Sequence, residues 1–229
     1  MRFIRNIFAI LLIPVISVSG YILAKDFLYF TVLYGDRYVL FWIGILSYII
    51  FHMLIYRPTK IYVFGHELSH ILIGILSGAK IKKFSINRKS GSVVLTKDNI
   101  WITLAPYFFP IYTFVLIIIH IFLGWFVNVE QIYGYFLFLI GFSIAFHIAF
   151  TVYILYIKQP DLKIYGRFFS YTIILTANIA IFTLFMLLVF QYKINIKDIC
   201  LKMLKNTIAV YKFIYIGALD IWLTFQKMK

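Results

Sequence analysis

Two histidines and a glutamate in the first half of the chain have a spacing that suits metal-dependent hydrolysis. His66, Glu67 and His70 form an H-E-x-x-H pattern within the apolar run Ile61–Leu76. Histidines four residues apart lie on one face of a helix, where both rings can bind the same Zn²⁺. The glutamate beside them is placed to act as general base toward a water molecule. The pattern therefore predicts the chemistry of a zinc hydrolase.

Composition alone does not account for this pattern. The chain contains five histidines and two glutamates, and random placement of so few residues gives roughly 0.001 matches. The apolar surroundings add weight, because a charged side chain at the centre of a membrane helix costs about 2.5–3.5 kcal/mol on insertion scales and usually has a function. A polar cluster that ties helices together is the alternative explanation of the same residues.

The composition is typical of an integral, multi-pass protein of the cell membrane. Hydrophobic residues make up 63% of the sequence and the mean hydropathy is +0.96, which is more apolar surface than a water-soluble core needs. The formal net charge is +14. Its Lys and Arg residues gather between the apolar segments, which favours the lipid bilayer as a partner and disfavours nucleic acid. The single cysteine, Cys200, excludes a disulfide framework and a cysteine-based zinc site.

Six apolar segments predict an all-α polytopic membrane protein of about six transmembrane helices. They are Phe3–Leu23, Tyr38–Tyr56, Ile61–Leu76, Trp101–Leu123, Tyr133–Ile157 and Phe168–Phe190. In the tail, Thr207–Phe225 is either a seventh span or a helix lying in the membrane interface. The expected organisation is two accessory helices in residues 1–60, a core in residues 61–192 and a basic tail, amphipathic or membrane-inserted, in residues 193–229.

The segment that follows the metal helix has the pattern of a small β-hairpin. Within Ala79–Lys97, two partly alternating apolar runs flank a turn at Asn87–Gly91. A charged surface loop is the alternative. A hairpin would offer an edge strand that pairs with an extended peptide, so Ser85→Pro or Val94→Pro is expected to impair substrate cleavage. The six Lys and Arg residues of this segment favour the cytoplasmic side of the membrane.

The order of these motifs resembles the site-2 protease family of intramembrane zinc metalloproteases. The similarity runs through His66-Glu67-Leu68-Ser69-His70, Gly78-Ala79-Lys80-Ile81-Lys82-Lys83-Phe84-Ser85-Ile86 and Leu104-Ala105-Pro106-Tyr107-Phe108-Phe109-Pro110. It covers Ile61–Ser170, roughly half of the chain. The resemblance implies hydrolysis of a peptide bond in or near a transmembrane segment of a membrane-protein substrate. It also implies that two histidines and one aspartate hold the zinc.

The third zinc ligand has two candidates. The family's aspartate usually lies in a Leu-Asp-Gly segment, and the nearest counterpart here is Asp161 within Gln159-Pro160-Asp161-Leu162. Asp161 is also suited to be the N-cap of the next helix, or a loop charge beside neighbouring lysines. The rival is His147, which lies near the middle of its span, as the two motif histidines do in theirs. The two candidates cannot both bind if that helix stays straight.

Two other functions are compatible with the same residues. A transporter or channel could line an ion path with these histidines and the glutamate, although the internal repeats common in transporters are not visible. A family member without catalytic activity could act as a membrane scaffold, and the unusual context of Asp161 leaves that alternative open. The sequence favours a zinc metalloendopeptidase, with Glu67 as general base and His66, His70 and Asp161 as ligands of Zn²⁺.

Overall fold

Most of the chain is helical in the computed structural model, which describes residues 2–55, 57–86, 91–156, 159–189 and 196–227. The α-helices are α1 (Arg2–Leu33), α2 (Gly35–Ile50), α3 (Thr59–Leu76), α4 (Ile100–Phe108), α5 (Ile111–Leu123), α6 (Tyr133–Tyr156), α7 (Asp161–Ile164), α8 (Arg167–Val189) and α9 (Ile196–Lys227). A π-helical turn, Phe51–Ile55, extends α2, and a 3-10 turn, Val129–Ile132, precedes α6. The predicted helical class is confirmed.

The predicted β-hairpin is present as two antiparallel strands, β1 (Ile81–Ile86) and β2 (Gly91–Leu95). Ile86 faces Gly91 at one end of the ladder and Ile81 faces Leu95 at the other, with an irregularity between Ile81 and Lys83. Residues 87–90 of the predicted turn lie outside the described residues. Gly78, which precedes the hairpin, has a φ of +73°, a conformation that glycine adopts without steric cost.

Five helical segments within the described ranges are long and apolar enough to cross a membrane, judged by length and composition. They are α1, α2 with its π-helical turn, α6 with its 3-10 turn, α8 and α9. The bent pair α4–α5 makes a sixth if it is taken as one span. The predicted span Ile61–Leu76 forms α3, which does not join this group because His66, Glu67, Ser69 and His70 interrupt its apolar character. In the tail, α9 is a continuous helix of span length.

The predicted span Trp101–Leu123 is not one continuous helix. The segment folds as α4 and α5, whose axes differ by 74°. Pro110 has no N–H to donate and pushes the residue before it out of the helical region. Phe109 accordingly has extended backbone angles, with φ −100° and ψ 97°. The bend leaves α4 as a short, buried helix beside α3.

The chain divides into two compact units, one formed by Met1–Phe30 with Leu175–Lys229 and the other by Thr31–Ile174. In the first unit Lys202 of α9 pairs with Asp26 of α1, its Nζ lying 2.8 Å from Oδ1. The hydroxyl group of Tyr211 also donates to the carbonyl oxygen of Leu11. These contacts fix the tail helix against the first helix.

The second unit holds every residue of the predicted site. Its helices α2 and α6 cross closely at Gly44 and Gly141, where a Cβ atom on either glycine would collide with the backbone of the other helix. Strand β2 lies along α3, with Gly91 against Glu67 and Leu95 against Gly74. Because Glu67 and Gly74 are two helical turns apart, β2 follows one face of α3 and covers the H-E-x-x-H motif.

Candidate metal centre

The side chains of His66, His70 and Asp161 converge from two distant parts of the sequence. Nε2 of His66 lies 3.6 Å from Oδ2 of Asp161, and Nε2 of His70 lies 3.9 Å from the same oxygen. One ligand atom from each residue lies within 4.8 Å of the other two. Across the described residues, this is the one group of three or more His, Cys, Asp or Glu side chains close enough to share a metal ion.

Hydrogen bonds to the other ring nitrogen orient both histidines. Nδ1 of His70 lies 2.7 Å from the carbonyl oxygen of Ile102 on α4. A carbonyl oxygen can only accept, so in neutral His70 the proton is on Nδ1 and the lone pair is on Nε2. Nδ1 of His66 lies 3.2 Å from the hydroxyl group of Tyr62, one helical turn earlier on α3. Both Nε2 atoms are thereby left to face Asp161.

The carboxyl group of Asp161 is surrounded by a tyrosine and the two motif histidines. The hydroxyl group of Tyr107 donates to Asp161 Oδ2 at 2.9 Å. Partial burial raises the pKa of this carboxyl group, but its contacts with His66, Tyr107 and His70 outweigh burial, so its pKa lies below its usual value. Asp161 is the first residue of the short helix α7 and makes no side-chain cap, so the N-cap alternative is wrong.

This donor set fits a zinc ion. Zinc is commonly bound by imidazole nitrogen and carboxylate oxygen at about 2.0–2.2 Å, which separates tetrahedral ligand atoms by about 3.3 Å. The separations of 3.6 and 3.9 Å from Asp161, in a group whose ligand atoms lie within 4.8 Å of one another, would have to contract to reach that value. The three side chains are partly buried, with at most 25% of any side chain exposed. Three protein ligands would leave a fourth position open, as in catalytic zinc sites.

Glu67 is buried beside the histidines and is covered by strand β2. It is 7% exposed. A Cβ atom added to Gly91 would lie 2.8 Å from Glu67 Oε1, so any larger residue at position 91 would displace the strand or the carboxylate. Glycine at the start of β2 therefore allows the strand to approach the catalytic motif closely.

Two clefts open beside His66 and Glu67. The first, of about 480 Å³, contains Ser92, Lys97, Asp98 and Thr103 among its walls and is named the charged cleft. The second, of about 340 Å³, is named the aromatic cleft and is walled by Tyr62, Val63, Phe150, Tyr153 and Ile154. Both clefts share His66, Glu67, Gly91 and Gln159. The candidate metal centre thus lies where the two clefts meet.

The structure does not bring the rival ligand, His147, into the group. His147 lies on α6 and lines a cavity of about 20 Å³ that His66 also lines, but its ring is not among the side chains whose ligand atoms converge. Its Nε2 atom is buried and has no hydrogen-bond partner among the described residues. Asp161, the first residue of α7, lies beside the two histidines of α3 instead.

Sequence analysis did not identify the two tyrosines that support the ligands. Tyr62 lies four residues before His66, a spacing that places it on the same face of α3 and could have indicated the contact. Tyr107 falls within a stretch that contributes to the family resemblance, but its partner Asp161 is 54 residues away. No local pattern in the sequence predicts that pairing.

Comparisons with protein-family models, with curated proteins and with solved structures returned no match. A functional proposal for this chain therefore depends on its own residues and their geometry.

Proposed function

We propose that this chain is an intramembrane zinc metalloprotease that hydrolyses a peptide bond in or near a transmembrane segment of a membrane-protein substrate. The observation that carries the proposal is the convergence of His66, His70 and Asp161, with Glu67 beside them. The resemblance of the motifs to the site-2 protease family supports the same assignment. The helices of span length support a polytopic membrane protein of the cell membrane.

Hydrogen bonding at the site favours a hydrolase over a transporter, channel or inactive scaffold. The Nδ1 contacts of the two histidines leave their Nε2 atoms turned toward one carboxylate. A zinc site needs ring nitrogens that are held facing one shared point, whereas an ion path does not. An inactive scaffold would need neither a carboxyl group that faces both histidines nor an acidic side chain buried beside them. Glu67 supplies that acidic side chain.

Zinc held by this trio would act as a Lewis acid toward the scissile carbonyl group and would lower the pKa of water toward neutrality. Glu67 receives a proton from the attacking water as the new C–O bond forms. It then delivers that proton to the amine nitrogen as the C–N bond breaks. Tyr107 keeps Asp161 in place throughout, since its hydroxyl group donates to the carboxylate. Strand β2 limits access of other groups to Glu67.

The metal content of the purified protein tests the proposal. We expect about one zinc per chain, because the described residues offer one ligand set. Removal of zinc with a chelator should abolish cleavage of a membrane-protein substrate, and added Zn²⁺ should restore it, whereas Mg²⁺ should not, because nitrogen ligands disfavour it. Elemental analysis of the purified protein measures the first quantity. Full proteolysis by metal-free protein would contradict the proposal.

Strand β2 is expected to bind substrate by backbone pairing. The sheet has two strands in the described residues, so the edge of β2 away from β1 has no strand partner there, and all five β2 residues line the charged cleft. Val94→Pro removes a backbone donor from this strand and should reduce cleavage about tenfold or more, while Val94→Ala should have little effect. Zinc content is measured in both variants to confirm an intact site. Equal cleavage by the two zinc-loaded variants would exclude backbone pairing.

A further inference from the structure

The exposed side of the tail helix α9 carries a line of charged residues, named here the tail stripe. They recur at intervals of seven or eight residues and are Asp198, Lys205, Lys212 and Asp220. At about 100° of rotation per residue, they fall within a sector of about 80° on the helix surface. All four are exposed, and they lie among exposed apolar residues that include Leu201, Ile208, Ile216 and Leu219. Helix α9 therefore presents a line of charge within an apolar surface.

The two lysines of the tail stripe have no carboxylate partner in the part of the chain that the structure describes. Lys205 and Lys212 make no side-chain hydrogen bond or ion pair there. The sequence has eight acidic residues, and all of them lie within the described ranges. By contrast, Lys202 on the same helix pairs with Asp26 of α1. A carboxylate that pairs with Lys205 or Lys212 in this structure therefore belongs to another molecule.

The tail stripe extends along a helix that runs beside α1. Lys202 contacts Asp26 and Tyr211 contacts Leu11, so the two helices are antiparallel over this stretch. Both are long and apolar enough to cross a membrane. Leu11 lies near the middle of the first apolar segment and Lys212 directly follows Tyr211, so in a spanning α9 this lysine lies about 15 Å from either surface of the hydrocarbon layer. A charge at that depth is costly unless it is paired.

We propose that the tail stripe is the docking site for a transmembrane helix of another protein, one with carboxylates at the levels of Lys205 and Lys212. A second copy of this chain in the same orientation would set lysine against lysine. Anionic lipid headgroups are repelled by Asp198 and Asp220 on the same line. A seven-residue interval is typical of left-handed helix pairs, so a partner with two acidic residues seven apart meets both lysines. No residue of the stripe belongs to the candidate metal centre, so this partner is distinct from the proteolytic substrate.

The association of full-length protein with synthetic transmembrane peptides in phosphatidylcholine vesicles tests the proposal. The acidic probe is a helix of Leu and Ala, about 23 residues long, with two Asp seven residues apart. The basic probe has Lys and the apolar probe has Leu at those two positions. A donor dye on the single, exposed cysteine, Cys200, and an acceptor dye on each probe report binding by energy transfer. The acidic probe should bind at least about tenfold more tightly than the apolar probe.

Substitutions of one stripe lysine provide matched variants. Lys212→Leu should remove most of the preference for the acidic probe, because it deletes the charge and keeps a residue suited to the bilayer. Lys212→Glu should reverse the preference, so that the basic probe binds about tenfold more tightly than the acidic one. Lys82→Leu makes the first change on the exposed strand β1 and should leave the preference unaltered. Zinc content is measured in each variant as a check of folding, since none of these residues is in the ligand set.

Three results would overturn the proposal. The first is equal binding of the acidic and apolar probes by the wild-type protein, or a preference that Lys212→Leu leaves intact. The second is energy transfer between donor-labelled and acceptor-labelled copies of this chain that Lys212→Leu abolishes, which would make the stripe a surface for self-association. The third is loss of the preference when phosphatidylglycerol replaces part of the phosphatidylcholine, which would assign the lysines to lipid headgroups. A preference that persists in both lipids and reverses in Lys212→Glu supports the proposal, whether or not the protein cleaves peptides.

Discussion

Glu67→Gln is expected to retain about one zinc per chain and to lose peptide hydrolysis by roughly 10²-fold or more. The amide group is nearly the same size as the carboxylate, so the close contact with Gly91 and the position of β2 should be preserved. It cannot receive a proton from the attacking water, so the chemical step fails while the metal ligands are untouched. Cleavage of a reconstituted membrane substrate and zinc content are measured on the same preparation.

The matched control for this variant is Glu130→Gln. Glu130 is exposed and pairs with Arg37 at 3.5 Å, away from both clefts, so its change should leave cleavage within about twofold. Undiminished proteolysis in zinc-loaded Glu67→Gln protein would exclude Glu67 as the general base. Loss of zinc in that variant would instead make Glu67 a ligand or a support of the ligands.

Substitution of the metal ligands is expected to have the largest effect on zinc binding. His66→Ala or His70→Ala should abolish stoichiometric zinc, because each removes one of three protein donors. Asp161→Asn should lower zinc affinity by at least about 10²-fold, since even residues that only support zinc ligands account for about 10–100-fold. The asparagine keeps the size of the side chain and can still accept from Tyr107, so the loss reports the missing charge.

His147→Gln is the comparison that decides between the two candidates for the third ligand. His147 shares a cavity of about 20 Å³ with His66 but is not grouped with the two motif histidines, so this variant should bind zinc nearly as the wild-type protein does. Affinities are measured by competition with a chelator in detergent. If His147→Gln lost zinc and Asp161→Asn kept it, the third-ligand role would pass to His147.

Local patterns predicted those parts of the site that lie close together in the sequence. The spacing of His66 and His70 fixes both on one face of a helix, whatever surrounds them. The hairpin after α3 was also predictable, because β1 and β2 are neighbours in sequence and their alternation and turn residues are local signals. Asp161 was identified as a ligand of the right type by the resemblance, and the structure places it beside both histidines.

Features that depend on tertiary packing were not predictable in the same way. The break at Pro110 has a local cause that hydropathy does not register, so the apolar run alone favoured one span over Trp101–Leu123. The pairing of Tyr107 with Asp161 joins two helices that are distant in sequence. The need for glycine at position 91 arises only because β2 packs against Glu67. The residue pattern within a single segment gives no information on contacts between segments that are distant in sequence.

The shortness of α4 has a mechanical consequence. This helix of nine residues supplies the carbonyl group of Ile102 to His70 and the hydroxyl group of Tyr107 to Asp161, while the Tyr107 ring packs edge-on against His66 at 5.6 Å. Helix α4 therefore contacts all three candidate ligands and holds them at fixed positions relative to one another. A slip of α4 by one residue, about 1.5 Å along its axis, would take both hydrogen bonds out of range. Damage to this helix should disorganise the ligands together, so the centre should fail as a unit.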